Sequence, residues 1–240
     1  MLYTSVTNLK IKNLSKLKTK KEREKANLFL VEGRHLTLEA YKAGYLKELL
    51  ITEDQDFSLD VSTNYISKSV LKYLSSVDSP TGIIGVCELK KMELKGDKIL
   101  ILDGVQDPGN MGTIIRSSVA FNVDTIVINE KCADPFSEKV VRASQGMIFN
   151  VNIVKYDLDL FLNSIKGKMP IYGTKVTGGT NLKTIEKNDK FAIIMGNEGS
   201  GVSDELLKLC DEYIYIPMNK NCESLNVGVA TSIILYEFVR

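Results

Sequence analysis

The sequence of 240 residues is poor in the residue types on which several common chemistries depend. It contains a single histidine, four scattered cysteines and no tryptophan. One histidine excludes His-rich zinc sites and paired acid and base histidines, and the cysteines lack C-x-x-C spacing. We therefore expect no metal site and no disulfide framework, and we expect reduced thiols.

Long apolar segments are also missing. No run of about 18 apolar residues occurs, and Met1 to Lys25 contains no apolar stretch typical of a signal peptide. With 44% hydrophobic and 25% charged residues, the composition is that of an ordinary globular protein of one or two domains. We expect a cytoplasmic protein that does not bind membranes.

The charges are nearly balanced overall but unevenly distributed. Residues 1–25 hold eight basic side chains against two acidic ones, a balance of +6, which leaves 23 against 28, or −5, in the remaining chain. Such a basic segment can neutralise nucleic-acid phosphates, and a solvated helix face that keeps the protein soluble is the alternative. The candidate RNA-binding lysines are Lys10, Lys12, Lys16 and Lys18.

The first part of the chain reads as a small α/β domain. Short apolar runs predict strands at Leu28–Val31, Leu49–Ile51 and Gly82–Cys87, with helices between them. The charged stretch from Glu88 to Lys98 is typical of a linker. The predicted division is a domain at 1–90 and a second at 98–240.

The second part alternates strands with helices. Apolar runs that are continuous rather than alternating indicate a parallel sheet covered on both faces. The last segment, Ser224 to Arg240, predicts an amphipathic helix with Ser224 as its N-cap. The predicted strands are Ile99–Leu102, Thr125–Ile128, Ile171–Gly173, Phe191–Met195 and Tyr213–Ile216.

Three loops follow these strands, where ligands bind in parallel α/β sheets. They span Asp103–Arg116, Gly196–Ser203 and Pro217–Val227. The glycine-rich second loop lacks Gly-Lys-Ser/Thr and is no Walker phosphate loop, and no strand leads into a G-x-G-x-x-G fingerprint. A nucleotide-dependent oxidoreductase with a doubly wound sheet therefore lacks its phosphate-binding motif.

Taken together, the three loops resemble a known family. N-M-G-T-I-I-R, M-G-N-E-G-S-G-V-S, and I-P-M with E-S-L-N-V-G-V-A are similar to the ordered motifs of the SpoU, or TrmH, family of RNA ribose 2′-O-methyltransferases. The resemblance covers 98–240. The segment F-L-V-E-G-R-H-L and the basic helix before it are similar to the L30e-like substrate-binding domain that often precedes this catalytic domain.

The resemblance implies a SPOUT domain, in which a parallel sheet carries a deep trefoil knot. General connection rules treat knots as almost absent, so the strand pattern by itself predicts an unknotted sheet. The family uses S-adenosylmethionine as its cofactor and acts as a homodimer through the knot domain. The implied cofactor-binding residues are Thr174, Gly196, Ile216, Met218 and Leu225.

The resemblance also implies the catalytic residues. Ser224 and Asn226 would line the reacting ribose, Asn110 and Glu198 would position the site, and the family's proposed base matches Arg116. Arginine stays protonated in proteins, so we hypothesise that Arg116 orients an RNA phosphate and stabilises the developing alkoxide. Its part in proton removal, and whether it serves its own subunit or the partner, stay open.

Arg142 is a further RNA-phosphate candidate, with a surface helix charge as the alternative. The leading function is methylation of ribosomal RNA. Transfer RNA as substrate and a non-catalytic RNA-binding protein are the alternatives, although the motif residues needed for catalysis are all present.

Overall fold

The computed structural model describes residues 1–186 and 188–239. The chain divides into two compact units: the first joins Met1–Lys91 with Phe136–Asn150, and the second joins Met92–Pro135 with the chain from Val151 onward. The sequence division had assigned 136–150 to the second domain, whereas this segment packs within the first unit. Arg240, at the end of the predicted last helix, lies outside the described residues.

The elements are numbered in chain order. The strands are β1 Leu2–Tyr3, β2 Leu28–Glu32, β3 Leu46–Ile51, β4 Ser62–Ile66, β5 Ile83–Glu88, β6 Lys98–Leu102, β7 Thr125–Ile128, β8 Asn152–Lys155, β9 Ile171–Thr174, β10 Thr180–Asn181, β11 Phe191–Met195 and β12 Glu212–Tyr215. The helices are α1 Leu9–Lys16, α2 Lys20–Ala26, α3 Arg34–Lys42, α4 Lys68–Leu74, α5 Pro108–Ala120, α6 Glu138–Ala143, α7 Leu158–Ile165, α8 Asp204–Leu207 and α9 Val227–Val239.

The first unit contains a five-stranded mixed sheet in the order β1-β4-β3-β5-β2. Strand β5 is antiparallel to both β2 and β3, whereas β4 is parallel to β3 and β1. Helices α1 and α4 cover one face through a core that includes Ile11, Leu14, Val70 and Leu74. The expected small α/β fold is present, with β1 and β4 in addition to the predicted strands.

An aromatic cluster attaches the segment Phe136–Asn150 to this sheet. The ring of Phe29 on β2 lies 5.1 Å from that of Phe136 and 6.3 Å from that of Phe149. Phe149 also contacts Tyr45 at 5.1 Å. Buried aromatic pairs of this kind stabilise packing beyond their buried area, so the segment belongs structurally to the first unit.

The second unit contains a seven-stranded sheet in the order β10-β12-β9-β11-β6-β7-β8, and every pairing in it is parallel. This confirms the predicted α/β class with a parallel sheet. All five residues of β11 are buried, which explains its continuous apolar sequence. The sequence analysis missed β8, an edge strand with only two buried apolar residues between Asn152 and Lys155.

On helix α9, the ring of Phe238 packs against this sheet, 5.1 Å from the ring of Tyr172 and 5.2 Å from that of Phe191. The helix also lies beside α5, where the Ser117 and Ser232 hydroxyls are 2.6 Å apart. Within the described part of the chain, no helix is both long and apolar enough to cross a membrane.

Candidate active site

The motif loops lie at the carboxyl ends of four neighbouring strands. In the sheet, β12, β9, β11 and β6 are adjacent and parallel, so the chain leaves all four at the same edge. Loops at that edge are where parallel α/β sheets bind ligands. Strand β6 is distant in the sequence, and β9 separates the consecutive strands β11 and β12 in the sheet, so the sheet order brings the motifs together.

These loops enclose a cavity of about 630 Å³. Pockets for small molecules and cofactors commonly have volumes of about 300–1,000 Å³. The five predicted cofactor-binding residues all line it: Thr174, Gly196, Ile216, Met218 and Leu225. Three of the predicted catalytic residues line it as well: Glu198, Ser224 and Asn226.

Gly196 allows the glycine-rich loop to fold back on itself. A Cβ atom at this position would lie 2.0 Å from the carbonyl carbon of Gly201 and 2.1 Å from the nitrogen of Val202. Asn197 and Gly201 exchange two backbone hydrogen bonds of 3.0 Å, which close the loop. Because the neighbouring atoms are backbone, a larger residue at 196 has no room without moving the cavity wall.

Asn197 holds this loop in shape and was not identified from the sequence. Its Oδ1 accepts hydrogen bonds from the backbone N–H of Gly199 at 2.9 Å and of Ser200 at 3.2 Å. Its Nδ2 donates to the carbonyl of Gly104 at 2.8 Å, which joins the first and second motif loops. An asparagine directly after Gly196, two residues beyond the end of a strand, is the turn signal that could have indicated it.

Asp103 makes a second connection that sequence reasoning missed. It is buried at the end of β6, and its Oδ2 accepts from the backbone N–H of Ser203 at 2.9 Å. Its Oδ1 accepts from Asn129 Nδ2 at 3.0 Å. An aspartate buried directly after an apolar strand must have such partners, because an unpaired buried carboxylate is costly.

A chain of hydrogen bonds joins the three motifs. Asn226 Nδ2 donates to Asn110 Oδ1 at 2.7 Å, and Asn110 Nδ2 donates to Glu198 Oε1 at 3.0 Å. The carboxylate also accepts from the backbone N–H of Asp107 at 3.1 Å and of Gln106 at 3.2 Å. The structure therefore brings one predicted catalytic residue from each motif into direct contact.

The orientation of these amides is determined by the start of α9. Asn226 Oδ1 accepts hydrogen bonds from the backbone N–H of Gly228 at 3.0 Å and of Val229 at 3.2 Å. Its NH₂ group must then face Asn110, which in turn directs the NH₂ group of Asn110 to the carboxylate. The prediction that Ser224 caps this helix is wrong: Asn226 is the N-cap, and Ser224 lies exposed two residues earlier.

Hydrogen bonding keeps Glu198 ionised. Partial burial alone raises the pKa of its carboxyl group, but the hydrogen bonds from Asn110 and from backbone N–H groups outweigh burial and leave the pKa below its ordinary value. At neutral pH, Glu198 is therefore a carboxylate that only accepts hydrogen bonds. This matches the donor groups that surround it.

Arg116 is the one predicted catalytic residue that neither joins this network nor lines the cavity. It is exposed on α5, it does not line the cavity, and none of the hydrogen bonds or ion pairs among the described residues involves its guanidinium group. Asn110, two turns earlier on the same helix, is tied to the site. Within one chain, Arg116 therefore contributes nothing to the wall of the cavity.

The four predicted RNA-binding lysines do not form one group. Lys10 Nζ lies 2.5 Å from Glu48 Oε1, and Lys18 Nζ donates to the carbonyls of Tyr73 and Ser75 at 3.1 Å each. Both ammonium groups are therefore engaged within the first unit.

The other predicted RNA-binding residues are more exposed. Lys12 is solvent-exposed, and the exposed Lys16 contacts only Asn13 Oδ1, at 3.2 Å, among the described side chains. Arg142 is exposed on α6 in the first unit. No set of three or more His, Cys, Asp or Glu side chains in 1–186 and 188–239 is arranged to hold a metal ion.

The sequence and the fold match proteins of known families. Residues 97–236 match the SpoU rRNA Methylase family, and residues 8–85 match the MRM3-like substrate binding domain. The chain is 37% identical over 239 residues, 97% of its length and 96% of the relative, to the 23S rRNA (guanosine(2553)-2′-O)-methyltransferase RlmP of Bacillus subtilis.

Two solved structures share the fold over nearly the whole chain. An AdoMet-bound rRNA methyltransferase from Sinorhizobium meliloti has a TM-score of 0.87 at 28% identity and covers 99% of this chain and 97% of its own. AviRb of Streptomyces viridochromogenes, a SpoU methyltransferase in complex with AdoMet, has a TM-score of 0.86 at 25% identity and covers 97% of each chain. The chain belongs to the SpoU rRNA methylase family of S-adenosylmethionine-dependent RNA ribose 2′-O-methyltransferases.

Proposed function

We propose that this chain transfers a methyl group from S-adenosylmethionine to a ribose 2′-hydroxyl of ribosomal RNA, with the cavity of the second unit as its active site. The observation that carries the proposal is the hydrogen-bonded chain Asn226–Asn110–Glu198, two of whose members line the cavity. Three motifs contribute one member each. Such preorganised polar groups are what alignment of a reactive hydroxyl requires.

The residues of the cavity fit the cofactor. Ile216, Met218 and Leu225 offer apolar surface for an adenine ring, and the glycine-rich loop offers backbone polar groups. Thr174 donates its hydroxyl proton to the carbonyl of Ile194 at 2.7 Å, which fixes its side chain beside the cavity. The ionised Glu198 adds a negative charge that suits a cationic sulfonium. The bound cofactor supplies an activated methyl group.

The protein must then hold the ribose hydroxyl in line with that methyl group and assist loss of its proton. Ser224 and Asn226 line the cavity and would contact the ribose. Asn110 and Glu198 are positioning residues, because they tie the Asn226 amide, which the start of α9 orients, to the first and second motif loops. Glu198 is a poor proton acceptor, because its hydrogen bonds stabilise the ionised form and lower its pKa.

Arg116 would orient an RNA phosphate and stabilise the alkoxide that develops at the 2′-oxygen. Because it lies outside the cavity of its own chain, we propose that it completes the site of a second subunit in a homodimer. Exposed apolar side chains on α9 support such an interface: Val229 is 46%, Ile233 38% and Tyr236 53% exposed. A strict monomer in light scattering at micromolar concentration would contradict this.

We propose 23S ribosomal RNA as the substrate and the guanosine equivalent to the one named for the Bacillus subtilis relative as the target. That relative aligns with 97% of this chain, including the first unit. The first unit would bind the RNA through Arg142 and the basic helices, in agreement with the match of 8–85 to a substrate binding domain.

Two further features stay proposals. We infer that the chain around β12 and α9 forms the trefoil knot of this superfamily, which the position of β12 between β9 and β10 supports. A cytoplasmic location follows from ribosomal RNA as substrate.

The test is methyl transfer with purified protein and labelled S-adenosylmethionine. Ribosomal RNA, assembled large subunits and transfer RNA serve as alternative acceptors, and the 2′-O-methyl position is then mapped. We expect label in 23S RNA at one guanosine. Label in transfer RNA alone would overturn the substrate proposal, and cofactor binding without transfer to any RNA would favour the non-catalytic alternative.

A further inference from the structure

The surface shared by α1 and α4 in the first unit combines an aromatic ring with several cations. The inner sides of both helices are buried against the sheet through Ile11, Leu14, Val70 and Leu74. Their outer sides face solvent next to each other. We call the outer residues Lys12, Ser15, Lys16, Lys72 and Tyr73 the α1–α4 surface.

Tyr73 is held at the junction of the two helices. Its side chain is 41% exposed, and its hydroxyl oxygen accepts a hydrogen bond from the Ser15 hydroxyl at 3.2 Å. Its backbone carbonyl accepts from Lys18 Nζ at 3.1 Å. A large aromatic side chain is therefore partly open to solvent and yet restrained by contacts from the facing helix.

Three lysines lie on the two helices that meet at Tyr73. Lys12 and Lys16 are one turn apart on α1 and flank Ser15, so their stems leave the helix on the side that approaches Tyr73. Lys72 precedes Tyr73 on α4, and all three lysines are exposed. None of the three forms an ion pair within 1–186 and 188–239, whereas Lys10 on the other side of α1 is paired with Glu48.

We propose that the α1–α4 surface binds an unpaired nucleotide of the substrate RNA, with the base stacked on Tyr73 and the neighbouring phosphates contacted by Lys12 and Lys16. The proposal rests on the proposed function, since it assigns a binding surface to the same RNA. Stacking on aromatic side chains combined with basic contacts to the backbone is how proteins bind single-stranded nucleic acid.

Charge complementarity favours RNA over the other occupants of such a surface. An apolar protein partner would leave three ammonium groups beside its interface without partners, which is unfavourable. A nucleotide offers both a flat ring and a phosphate within reach. The expected ligand is a loop or bulge rather than a duplex, because bases within a helix are already stacked.

The test measures affinity of the full chain for its RNA acceptor with Tyr73→Ala and Tyr73→Phe. Base stacking on an aromatic side chain contributes enough that removing the ring weakens binding by about 5- to 150-fold. Tyr73→Phe keeps the ring and should retain wild-type affinity. Tyr65→Ala is the matched control, because Tyr65 is 42% exposed in the same unit but lies on β4 beside Ile51, which packs on the opposite face of the sheet.

A second variant examines the charges. Lys12→Ala with Lys16→Ala should flatten the dependence of log affinity on log salt by about 0.7 for each lost contact to a single-stranded phosphate. Thermal unfolding of each variant separates loss of binding from loss of folding. If Tyr73→Ala unfolds the unit, Tyr73→Leu, which keeps a large apolar side chain but removes the ring, supplies the affinity measurement instead.

The outcomes distinguish this inference from the function on which it rests. Unchanged affinity and salt slope in folded variants, with wild-type methyl transfer intact, would overturn the α1–α4 surface and leave the proposed function standing. Absence of methyl transfer to any RNA by the wild-type protein would contradict the proposed function instead. Selective weakening by Tyr73→Ala, with Tyr73→Phe and Tyr65→Ala unaffected, supports the inference.

Discussion

The loops around the cavity and the basic helices of the first unit contrast in how their polar groups are used. In the cavity loops, a set of polar side chains has partners that determine their orientation, as in the chain Asn226–Asn110–Glu198. Among the lysines of the first unit, Lys10 and Lys18 contact the protein, whereas Lys12 on α1 and Lys72 on α4 are open to solvent. Under the proposed function, methyl transfer would depend on restrained groups, and RNA binding on solvent-exposed ones.

The difference has a physical origin. Holding a reactive hydroxyl in line with a methyl donor needs groups placed to within fractions of an ångström, which hydrogen bonds from backbone and amide groups provide. Phosphate contacts are long-range and tolerate different geometries. Arg116 is the exception, because it is exposed like a binding residue although the family assigns it to catalysis.

The largest expected effect comes from Arg116. Arg116→Ala should lower kcat by about 10²- to 10³-fold, as removal of a charge-stabilising group does, while affinity for S-adenosylmethionine stays unchanged. Single-turnover methyl transfer and calorimetry measure the two quantities. Arg116→Lys keeps the charge but loses the planar fork, so near-normal turnover in that variant would contradict the orientation role.

Gly196→Ala tests the shape of the glycine-rich loop. Because its Cβ would meet backbone atoms at 2.0 Å and 2.1 Å, we expect the loop to shift and cofactor affinity to fall by about 10- to 100-fold. Gly199→Ala is the control, since its Cβ would lie 3.6 Å from the nearest atom, Asn197 Oδ1. Equal affinity of the two variants in calorimetry would show that the loop is mobile.

Asn226→Asp separates the two roles of one side chain. The carboxylate still accepts from Gly228 and Val229 at the start of α9, so thermal stability should be retained. The lost NH₂ group places an oxygen against Asn110 Oδ1, and we expect methyl transfer to fall by about 10-fold or more. Full activity would mean that the hydrogen-bonded chain is not needed.

Glu198→Gln gives a pH-dependent effect. Both carboxylate oxygens accept hydrogen bonds, so an amide nitrogen leaves one donor without a partner and should weaken cofactor binding by about 10-fold at pH 7. Because the folded pKa of Glu198 is lowered, its stabilising contribution is present above the ordinary pKa of about 4.3 and is lost as the pH falls through the folded value. The gap between wild type and variant in calorimetric titrations should therefore narrow below about pH 4.

The smallest effect is expected for Lys18→Ala. Its ammonium group binds the carbonyls of Tyr73 and Ser75 at the end of α4, so its removal should lower the melting temperature by about 2–4 °C. Lys12→Ala should leave the melting temperature unchanged and weaken RNA binding instead. The opposite pattern would remove the distinction between structural and RNA-binding lysines.

The sequence by itself determined the fold class and, through the motifs that resemble the family, eight of the residues that line the cavity. Continuous apolar strands predict a buried parallel sheet, and Gly196, Glu198 and Asn226 stand in short segments whose spacing is set by local loop geometry. Each motif is a run of adjacent residues, so the resemblance that it carries is legible in the sequence even though the motifs meet only in the folded chain.

Tertiary structure decided what depends on distant partners. Only the sheet order β12-β9-β11-β6 shows that the three loops meet, and only the contacts reveal Asn197, Asp103 and the N-cap at Asn226. Contacts with distant residues also place Phe136–Asn150 in the first unit. They likewise distinguish Lys10 and Lys18, which have protein partners, from the exposed Lys12. The residue type of a charged or aromatic side chain does not indicate which residue it will contact. That partner is determined when the fold packs elements that are distant in the sequence against each other.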